Sequence, residues 1–157
     1  MKSEQKTPPE DYLKYWRVIR YYMKAKHAIS QAELDMILFL YSEKYFSSDK
    51  FEEFNSLLSW DDKRFKKLRR DGWIEVFRKR AGKRRALYQL SYKSTRMCLD
   101  IYRKLNGEEV PTSLSGNGMF AKNVCFTDKV YRNMIIEMNA YQREHKYKKP
   151  IEEADDL

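Results

Sequence analysis

Residues 63–90, KRFKKLRRDGWIEVFRKRAGKRRALYQL, combine a high positive charge with a regular spacing of apolar residues. Residues 63–85 contain 12 Lys and Arg residues but only two acidic ones. Phe65 and Leu68 are three residues apart, a spacing that is typical of one face of a helix. After Gly72 come two short β-type runs, WIEVF and ALYQL, separated by a tip with one glycine. The stretch therefore predicts a short basic helix followed at once by a basic β-hairpin.

The excess positive charge of the whole chain is concentrated in this stretch. The chain has 157 residues, with 32 Lys and Arg against 23 Asp and Glu and a net charge of +9. Taking away the 12 basic and two acidic residues of 63–85 leaves 20 basic and 21 acidic residues, so the remainder is near neutral. A localised cationic patch of this kind favours a polyanionic partner.

The basic helix is predicted to run from about residue 60 to 71 and to carry its charge on one face. Four cations lie at i, i+3, i+4 and i+7, opposite the apolar pair: Lys63, Lys66, Lys67 and Arg70. Like charges at this spacing destabilise an isolated helix by about 0.2–0.5 kcal/mol per pair, so a solvated face usually mixes both signs. With the flanking Arg64, these four residues are the predicted DNA contacts of the helix.

The hairpin, predicted over residues 73–90, has six cations around its tip: Arg78, Lys79, Arg80, Lys83, Arg84 and Arg85. A tight loop has no packing use for so many long side chains, so these residues are also predicted to contact DNA. A helix fits the major groove, and arginines respond to the potential of a narrow minor groove. Together the helix and the hairpin predict a two-part surface for double-stranded DNA.

The residues around the basic stretch predict further helices. Capping motifs predict them from about residue 10 to 27, from 31 to 44, from 49 onward, from 92 to 105 and from 127 to 145. At the second of these, Ser30 and Glu33 have the spacing of a capping box, in which each side chain caps the other's backbone N–H. Residues 106–126 predict a long loop with a short strand at 122–126.

Two segments of the basic stretch follow a characteristic order. Residues 65–74, FKKLRRDGWI, place a leucine-bearing helix before a glycine and an apolar pair, and residues 83–91, KRRALYQLS, place arginines before alternating apolar residues. This order resembles the recognition helix and wing of the MarR family of transcriptional regulators. In that resemblance Arg85 matches the wing arginine that approaches the minor groove, and Ser91 matches the threonine that caps the next helix. The sequence has Lys83 where the family wing has aspartate.

The resemblance implies a mainly α fold with a small β-hairpin, that is, a winged helix-turn-helix with N- and C-terminal dimerisation helices. Ser94 stands where the family has glycine. The implied divisions are a flexible N-terminus (1–9), a winged-helix domain (10–105), a loop insertion (106–126), a C-terminal dimerisation helix (127–147) and a disordered acidic tail (148–157). The implied homodimer interface uses Tyr12, Trp16, Ile19, Met23, Val130, Tyr131, Met134, Met138 and Tyr141. Many family members respond to small phenolic ligands or to oxidation, and the sequence leaves open whether this chain has a small-molecule or redox inducer.

Other features of the sequence exclude several function classes. The longest apolar run, residues 36–41, is far too short to cross a membrane. Cys98 and Cys125 have no CxxC spacing, so buried free thiols in a reducing compartment are predicted. The expected location is therefore cytoplasmic, and the predicted DNA binding makes it nucleoid-associated. His27 and His145 are isolated, so neither a metal nor a cofactor is expected. Because no phosphate-binding glycine loop, nucleophile–base set or carboxylate cluster is found, an enzyme is not expected.

Within the class of DNA-binding proteins the sequence favours a MarR-like dimeric regulator that acts by promoter occupancy. An architectural or replication-associated winged-helix protein with low sequence specificity is an alternative, since the basic helix has no Asn or Gln for reading adenine. A protein–protein adaptor whose basic face binds an acidic partner is a further alternative. The dependence of DNA affinity on salt and the competition by random DNA distinguish these three functions.

Overall fold

The structure, a computed structural model, describes residues 12–58 and 61–146. Its elements in chain order are α1 (Tyr12–His27), α2 (Gln31–Leu40), α3 (Ser48–Leu58), α4 (Asp62–Arg70), β1 (Ile74–Arg78), β2 (Leu87–Leu90), α5 (Tyr92–Leu105), a short 3-10 helix (Gly118–Phe120) and α6 (Phe126–Lys146). The chain forms two compact units. One is Ile29–Asp100, and the other consists of the residues up to Ala28 and from Ile101 onward. None of the described helices is long and apolar enough to cross a membrane.

In the unit Ile29–Asp100, α3 and α4 form a helix-turn-helix whose inner faces carry aromatic residues. Phe51 of α3 and Phe65 of α4 are both buried, and their ring centroids are 4.9 Å apart. Leu68, one turn further along α4, is fully buried. These contacts confirm the predicted inner face of the basic helix.

The wing is an antiparallel hairpin that follows α4 directly. Gly72 adopts φ +83°, a left-handed conformation that favours glycine, and Trp73 N donates a hydrogen bond to Leu68 O at 2.9 Å. In the hairpin Ile74 pairs with Leu90, and the register shifts between Val76 and Arg78 at a bulge.

A third chain segment extends this sheet on the other side of β2. Phe46 N donates to Tyr88 O at 3.0 Å, and Tyr88 N donates to Phe46 O at 2.7 Å. Tyr88 therefore has a neighbour on each side: its backbone N–H and C=O bond Phe46, and it lies opposite Val76 of β1. A helix-turn-helix with a β-hairpin and a short third segment is a winged helix, so the predicted fold class is confirmed.

The start of α5 is fixed by two serines beneath the wing. Ser91 caps the helix, because its Oγ accepts a hydrogen bond from Ser94 N at 3.4 Å. Ser94 is fully buried, and its Oγ donates to Trp73 O at 2.6 Å. A glycine at this position has no such hydroxyl, so the departure of Ser94 from the family pattern has a structural reason. The helix ends as predicted before Gly107, which has φ +111°.

In the other unit, α1 and α6 run antiparallel and contact each other through aromatic side chains. Tyr15 meets Tyr141 edge-on with ring centroids 6.3 Å apart, and Tyr21 stacks on Tyr131 at 3.9 Å. The Tyr21 hydroxyl donates a hydrogen bond to the carboxylate of Asp128, which raises the pKa of Tyr21. Pairing of early α1 residues with late α6 residues defines the antiparallel direction.

The segment between α5 and α6 is an ordered loop that packs against α6. Asn139 Oδ1 accepts a hydrogen bond from Val110 N at 3.0 Å, and its Nδ2 donates to Val110 O at 2.8 Å. Met119 is buried, and the Tyr22 hydroxyl donates to Gly116 O at 3.1 Å. Buried side chains and hydrogen-bonded backbone groups thus fix the conformation of a segment that the sequence predicted to be mainly a loop.

Several predicted boundaries are corrected by the structure. The strand predicted at 122–126 is wrong, because α6 already begins at Phe126 and the preceding residues form turns and coil. Thr127 therefore lies inside the first turn of α6 rather than capping it. The second helix ends at Leu40, earlier than the predicted residue 44. The predicted capping residues at 7–10 and the acidic tail at 148–157 lie outside the described residues.

Candidate nucleic-acid interface

The basic helix α4 is capped at both ends and presents its cations to solvent. Asp61 is the N-cap, and its Oδ1 accepts a hydrogen bond from Arg64 N at 2.8 Å. Asp71 is the C-cap. Lys63 is exposed, and the side chains of Lys66 and Arg70 are 73% and 74% exposed. The capped, core-anchored helix therefore holds these three cations on one outward face.

The carboxylates near these cations form only weak surface pairs. Lys66 Nζ lies 2.9 Å from Asp62 Oδ2 one turn away, and Arg70 Nε lies 3.8 Å from Asp71 Oδ1. Exposed pairs of this kind contribute about 0–1 kcal/mol, so a phosphate can displace either carboxylate at little cost. Among the described residues Lys63 has no ion-pair partner.

Lys67 differs from the other cations of α4, because it forms an ion pair with a buried carboxylate. Its Nζ lies 2.6 Å from Glu33 Oε1, and the Glu33 side chain is only 6% exposed. The predicted capping box at Ser30 is thus half correct: the Ser30 hydroxyl caps Glu33 N at 3.2 Å, but the Glu33 carboxylate binds Lys67. The structure therefore assigns Lys67 a contact between α2 and α4, and the outward stripe is reduced to Lys63, Lys66 and Arg70.

At the base of the wing, two of the predicted arginines make contacts within the protein. Arg85 forms an ion pair with Asp49, which lies in the first turn of α3. Arg78 is half-buried, and its Nη2 donates to Arg85 O at 3.3 Å. Where the MarR wing has an aspartate this chain has Lys83, and Asp49 supplies a carboxylate from another element. These contacts tie the base of the wing to α3.

The tip of the wing carries a second group of exposed cations. Ala81 and Arg84 pair through two backbone hydrogen bonds of 3.2 and 3.0 Å, with Gly82 at φ +60° in the turn. Four cations of the tip are exposed and have no ion-pair partner among the described residues: Lys79, Arg80, Lys83 and Arg84. The turn geometry therefore leaves these long side chains directed into solvent.

Side chains that sequence analysis did not single out join the wing to α4. The Tyr88 ring packs edge-on against Phe65 with centroids 5.0 Å apart, and the Arg69 guanidinium lies 4.9 Å from the Tyr88 centroid. Lys93 Nζ lies 3.8 Å from the Trp73 centroid. By helical spacing Arg69 falls between the basic and apolar faces of α4. No other feature of the sequence indicates its contact with Tyr88. The local sequence does not indicate the ion pairs of Glu33 and Asp49, because their partners are distant in sequence.

A cleft of about 500 Å³ lies between the end of α4 and β1. Its lining combines three cations with one carboxylate and a small apolar floor: Lys66, Arg69, Arg70, Gly72, Ile74, Glu75 and Val76. This cleft gives the junction of helix and wing a concave, mostly cationic surface.

The residues predicted for a dimer interface are distributed between the surface and the core. Ile19, Met23 and Met138 are buried within the single chain, so they belong to the core of the protomer rather than to an exposed surface. Trp16, Tyr131 and Met134 are half-buried, and Tyr12, Val130 and Tyr141 are exposed. One side of α6 carries an apolar stripe, interrupted by the exposed Glu137, that adds an exposed residue missed by the sequence reasoning: Phe126, Val130, Met134 and Tyr141.

The two cysteines occupy different environments. Cys98 is buried, and burial raises the pKa of its thiol to about 11, which agrees with the predicted inert thiol. Cys125 is exposed, so the prediction that it is buried is wrong. No group of His, Cys, Asp and Glu that could hold a metal ion occurs within residues 12–58 and 61–146.

Comparison with known proteins gives structural similarity without sequence similarity. No protein-family model matches the chain, and no curated protein sequence matches it. A solved structure of a mutant MarR from E. coli complexed with operator DNA is similar at 16% identity and a TM-score of 0.43, covering 80% of this chain and 84% of that one. A structure of disulfide-formed AbfR is similar at 12% identity and a TM-score of 0.42, covering 87% of each chain. The first of these structures bears the name of the family that residues 65–74 and 83–91 resemble.

Proposed function

We propose that this protein binds double-stranded DNA through α4 and the wing, and that it acts as a dimeric regulator of transcription. The observation that carries the proposal is the joining of two cationic surfaces in one compact unit. Phe65 packs against Tyr88, and Leu68 O accepts a hydrogen bond from Trp73 N at 2.9 Å. A helix that carries Lys63, Lys66 and Arg70 is thereby joined directly to a hairpin tip that carries four exposed cations.

In this proposal α4 lies in a major groove and the wing tip follows the backbone towards the adjacent minor groove. The exposed cations of α4 contact phosphates or guanine edges, and the tip cations contact phosphates. Arg85, which forms an ion pair with Asp49, is the wing residue that we propose for the contact with the minor groove. Lys67 positions α4 through Glu33 and is not proposed as a DNA contact.

A homodimer is supported by the apolar stripe on α6. Phe126 is 80% exposed and Val130 is 40% exposed, and these residues share one side of α6 with Met134 and Tyr141. A stripe of this kind favours contact with a second apolar surface. A two-fold dimer carries two α4 helices, which suits two half-sites about one helical turn apart, and occupancy of such a site blocks polymerase.

The test is the affinity for duplex DNA as a function of salt. A DNA-binding surface of this kind shows a log–log slope of about −0.9 for each neutralised phosphate. Negligible binding at physiological salt contradicts the proposal and favours the adaptor that binds an acidic protein.

A second candidate, an architectural binder with low sequence specificity, is favoured by the composition of α4. Its sequence DKRFKKLRR has no Asn or Gln, the side chains that read adenine with two hydrogen bonds. Selection of bound sequences from a random pool separates the two candidates. A regulator enriches one operator sequence and prefers it by about 1,000-fold or more over random DNA, whereas an architectural binder enriches none.

A further inference from the structure

The wing sheet carries an exposed pair of stacked aromatic rings that the proposed duplex contact does not use. Tyr45 and Phe77 lie with ring centroids 4.0 Å apart and an interplanar angle of 27°. Tyr45 is 45% exposed and Phe77 is 49% exposed. Aromatic rings contribute most when their area is buried, so a stacked pair left open to solvent is a candidate contact surface.

The position of this pair follows from the strand pairing. Phe46 is 2% exposed and pairs with Tyr88, whose ring packs against Phe65 of α4. Tyr45 precedes Phe46 in a bend, and its exposed ring stacks on Phe77 while the Phe46 ring is buried. Phe77 belongs to β1, on the other side of β2, so the two rings meet across the outer face of the sheet.

Charge is distributed unevenly around the aromatic pair. Along β1 the chain leads from Phe77 into the wing tip, where Lys79 and Arg80 are exposed. Two residues before Phe77, Glu75 Oε1 accepts a hydrogen bond from Gln89 Nε2 at 2.8 Å. A phosphate chain is therefore attracted towards the tip and repelled at the Glu75 end, which gives the surface a direction.

We propose that Tyr45 and Phe77 form a stacking platform for the bases of single-stranded DNA, with the phosphates following the cations of the wing tip. Aromatic rings beside a cationic track are the combination that binds single strands with little sequence preference, since every base has a π-face. The cations favour a nucleic acid over an apolar protein partner, which would gain nothing from them. The choice of DNA over RNA rests on the proposed duplex-binding function.

The test measures binding of the full chain to labelled oligo(dT), with oligo(rU) and a duplex titrated in parallel. Phe77→Leu and Tyr45→Leu keep an apolar side chain over the sheet but remove the π-face, so each is expected to weaken oligo(dT) binding by about 5- to 100-fold. Phe77→Trp is expected to retain binding and to show tryptophan quenching by oligo(dT). Tyr92→Leu, which removes a 76% exposed ring at the start of α5, is the matched control and leaves binding unchanged.

Unchanged oligo(dT) binding in both leucine variants overturns the platform, as does an equal loss of duplex binding, which assigns the rings to the duplex surface. Tighter binding of oligo(rU) overturns the assignment to DNA. If a leucine variant does not fold, absence of quenching in Phe77→Trp overturns the platform instead. A wild-type chain that binds oligo(dT) but no duplex contradicts the proposed function alone, and the reverse result contradicts the platform alone.

Discussion

The two compact units of this chain expose opposite kinds of surface. The unit Ile29–Asp100 exposes cations along α4 and the wing tip, and it buries the apolar residues of α4, Phe65 and Leu68. In the other unit the exposed side of α6 carries apolar residues, among them Phe126 and Val130. A cationic surface attracts a polyanion, whereas an apolar surface gains free energy by being covered. The difference agrees with the proposal that the first unit contacts DNA and the second contacts another copy of the chain.

Charge reversal on α4 has the largest expected effect on this comparison. Lys63→Glu, Lys66→Glu and Arg70→Glu together are expected to weaken duplex binding by about 1,000-fold or more, because phosphate contacts are lost and three carboxylates repel the DNA. Fluorescence anisotropy with a labelled duplex measures this change. All three side chains are exposed, so thermal unfolding should stay near that of the unaltered chain. Loss of folding would mean that this face packs against protein.

The thiols of the two units are expected to differ in reactivity by about 100-fold or more near neutral pH, because only the thiolate reacts. Burial raises the pKa of Cys98 to about 11, whereas Cys125 is exposed. Labelling with a thiol reagent, followed by peptide mapping, measures the two rates. Unfolding in denaturant should make them equal, and Cys125→Ser should leave only the slow reaction. Equal rates in the folded protein would contradict the buried position of Cys98.

The same raised pKa has a consequence for stability at high pH. The folded state holds the Cys98 proton more tightly than the unfolded chain, whose thiol has an ordinary pKa of about 8.5. The stabilisation is therefore fully present below that value and is lost as pH rises from about 8.5 towards 11. Cys98→Ala removes this contribution to the pH dependence, which denaturant unfolding at several pH values measures.

Charges placed on the apolar stripe of α6 are expected to weaken the dimer. Phe126→Glu combined with Val130→Glu should raise the dimer dissociation constant by roughly 10- to 100-fold, since two exposed apolar contacts are replaced by like charges across the two-fold axis. Sedimentation measures the dissociation constant. Ile136→Glu is the control, because Ile136 is 46% exposed but lies about 120° around the helix from Val130. An unaltered chain that is monomeric at high concentration contradicts the dimer.

The smallest expected effect is on the free energy of unfolding, when two adjacent lysines of α4 are substituted in turn. Lys67→Met leaves the buried Glu33 carboxylate without its partner and should lower the free energy of unfolding by about 1–3 kcal/mol. Lys66→Met removes only an exposed pair with Asp62 and should change it by about 0.5 kcal/mol or less. Denaturant unfolding measures both values. Equal effects of the two substitutions would show that the Glu33 contact does not position α4.

Much of the fold followed from local signals in the sequence. Asp61 before α4, Gly72 after it and Ser91 before α5 set the ends of elements as predicted, because capping depends on a few neighbouring backbone groups. The inner face of α4 followed from the spacing of Phe65 and Leu68. The strand predicted at 122–126 was wrong, because α6 extends back to Phe126 and a strand needs a partner that local sequence does not reveal.

The sequence by itself determined where the charge lies, where the helix and hairpin lie, and which residues of α4 face inward, because periodicity and capping act over a few residues. Only the tertiary structure decided that Lys67 meets Glu33, that Asp49 meets Arg85, and that Tyr45 meets Phe77. These pairs are 34, 36 and 32 residues apart, and packing rather than local spacing brings them together. For that reason sequence identified the cations, and the fold decided which of them remain exposed without a carboxylate partner from a distant part of the chain.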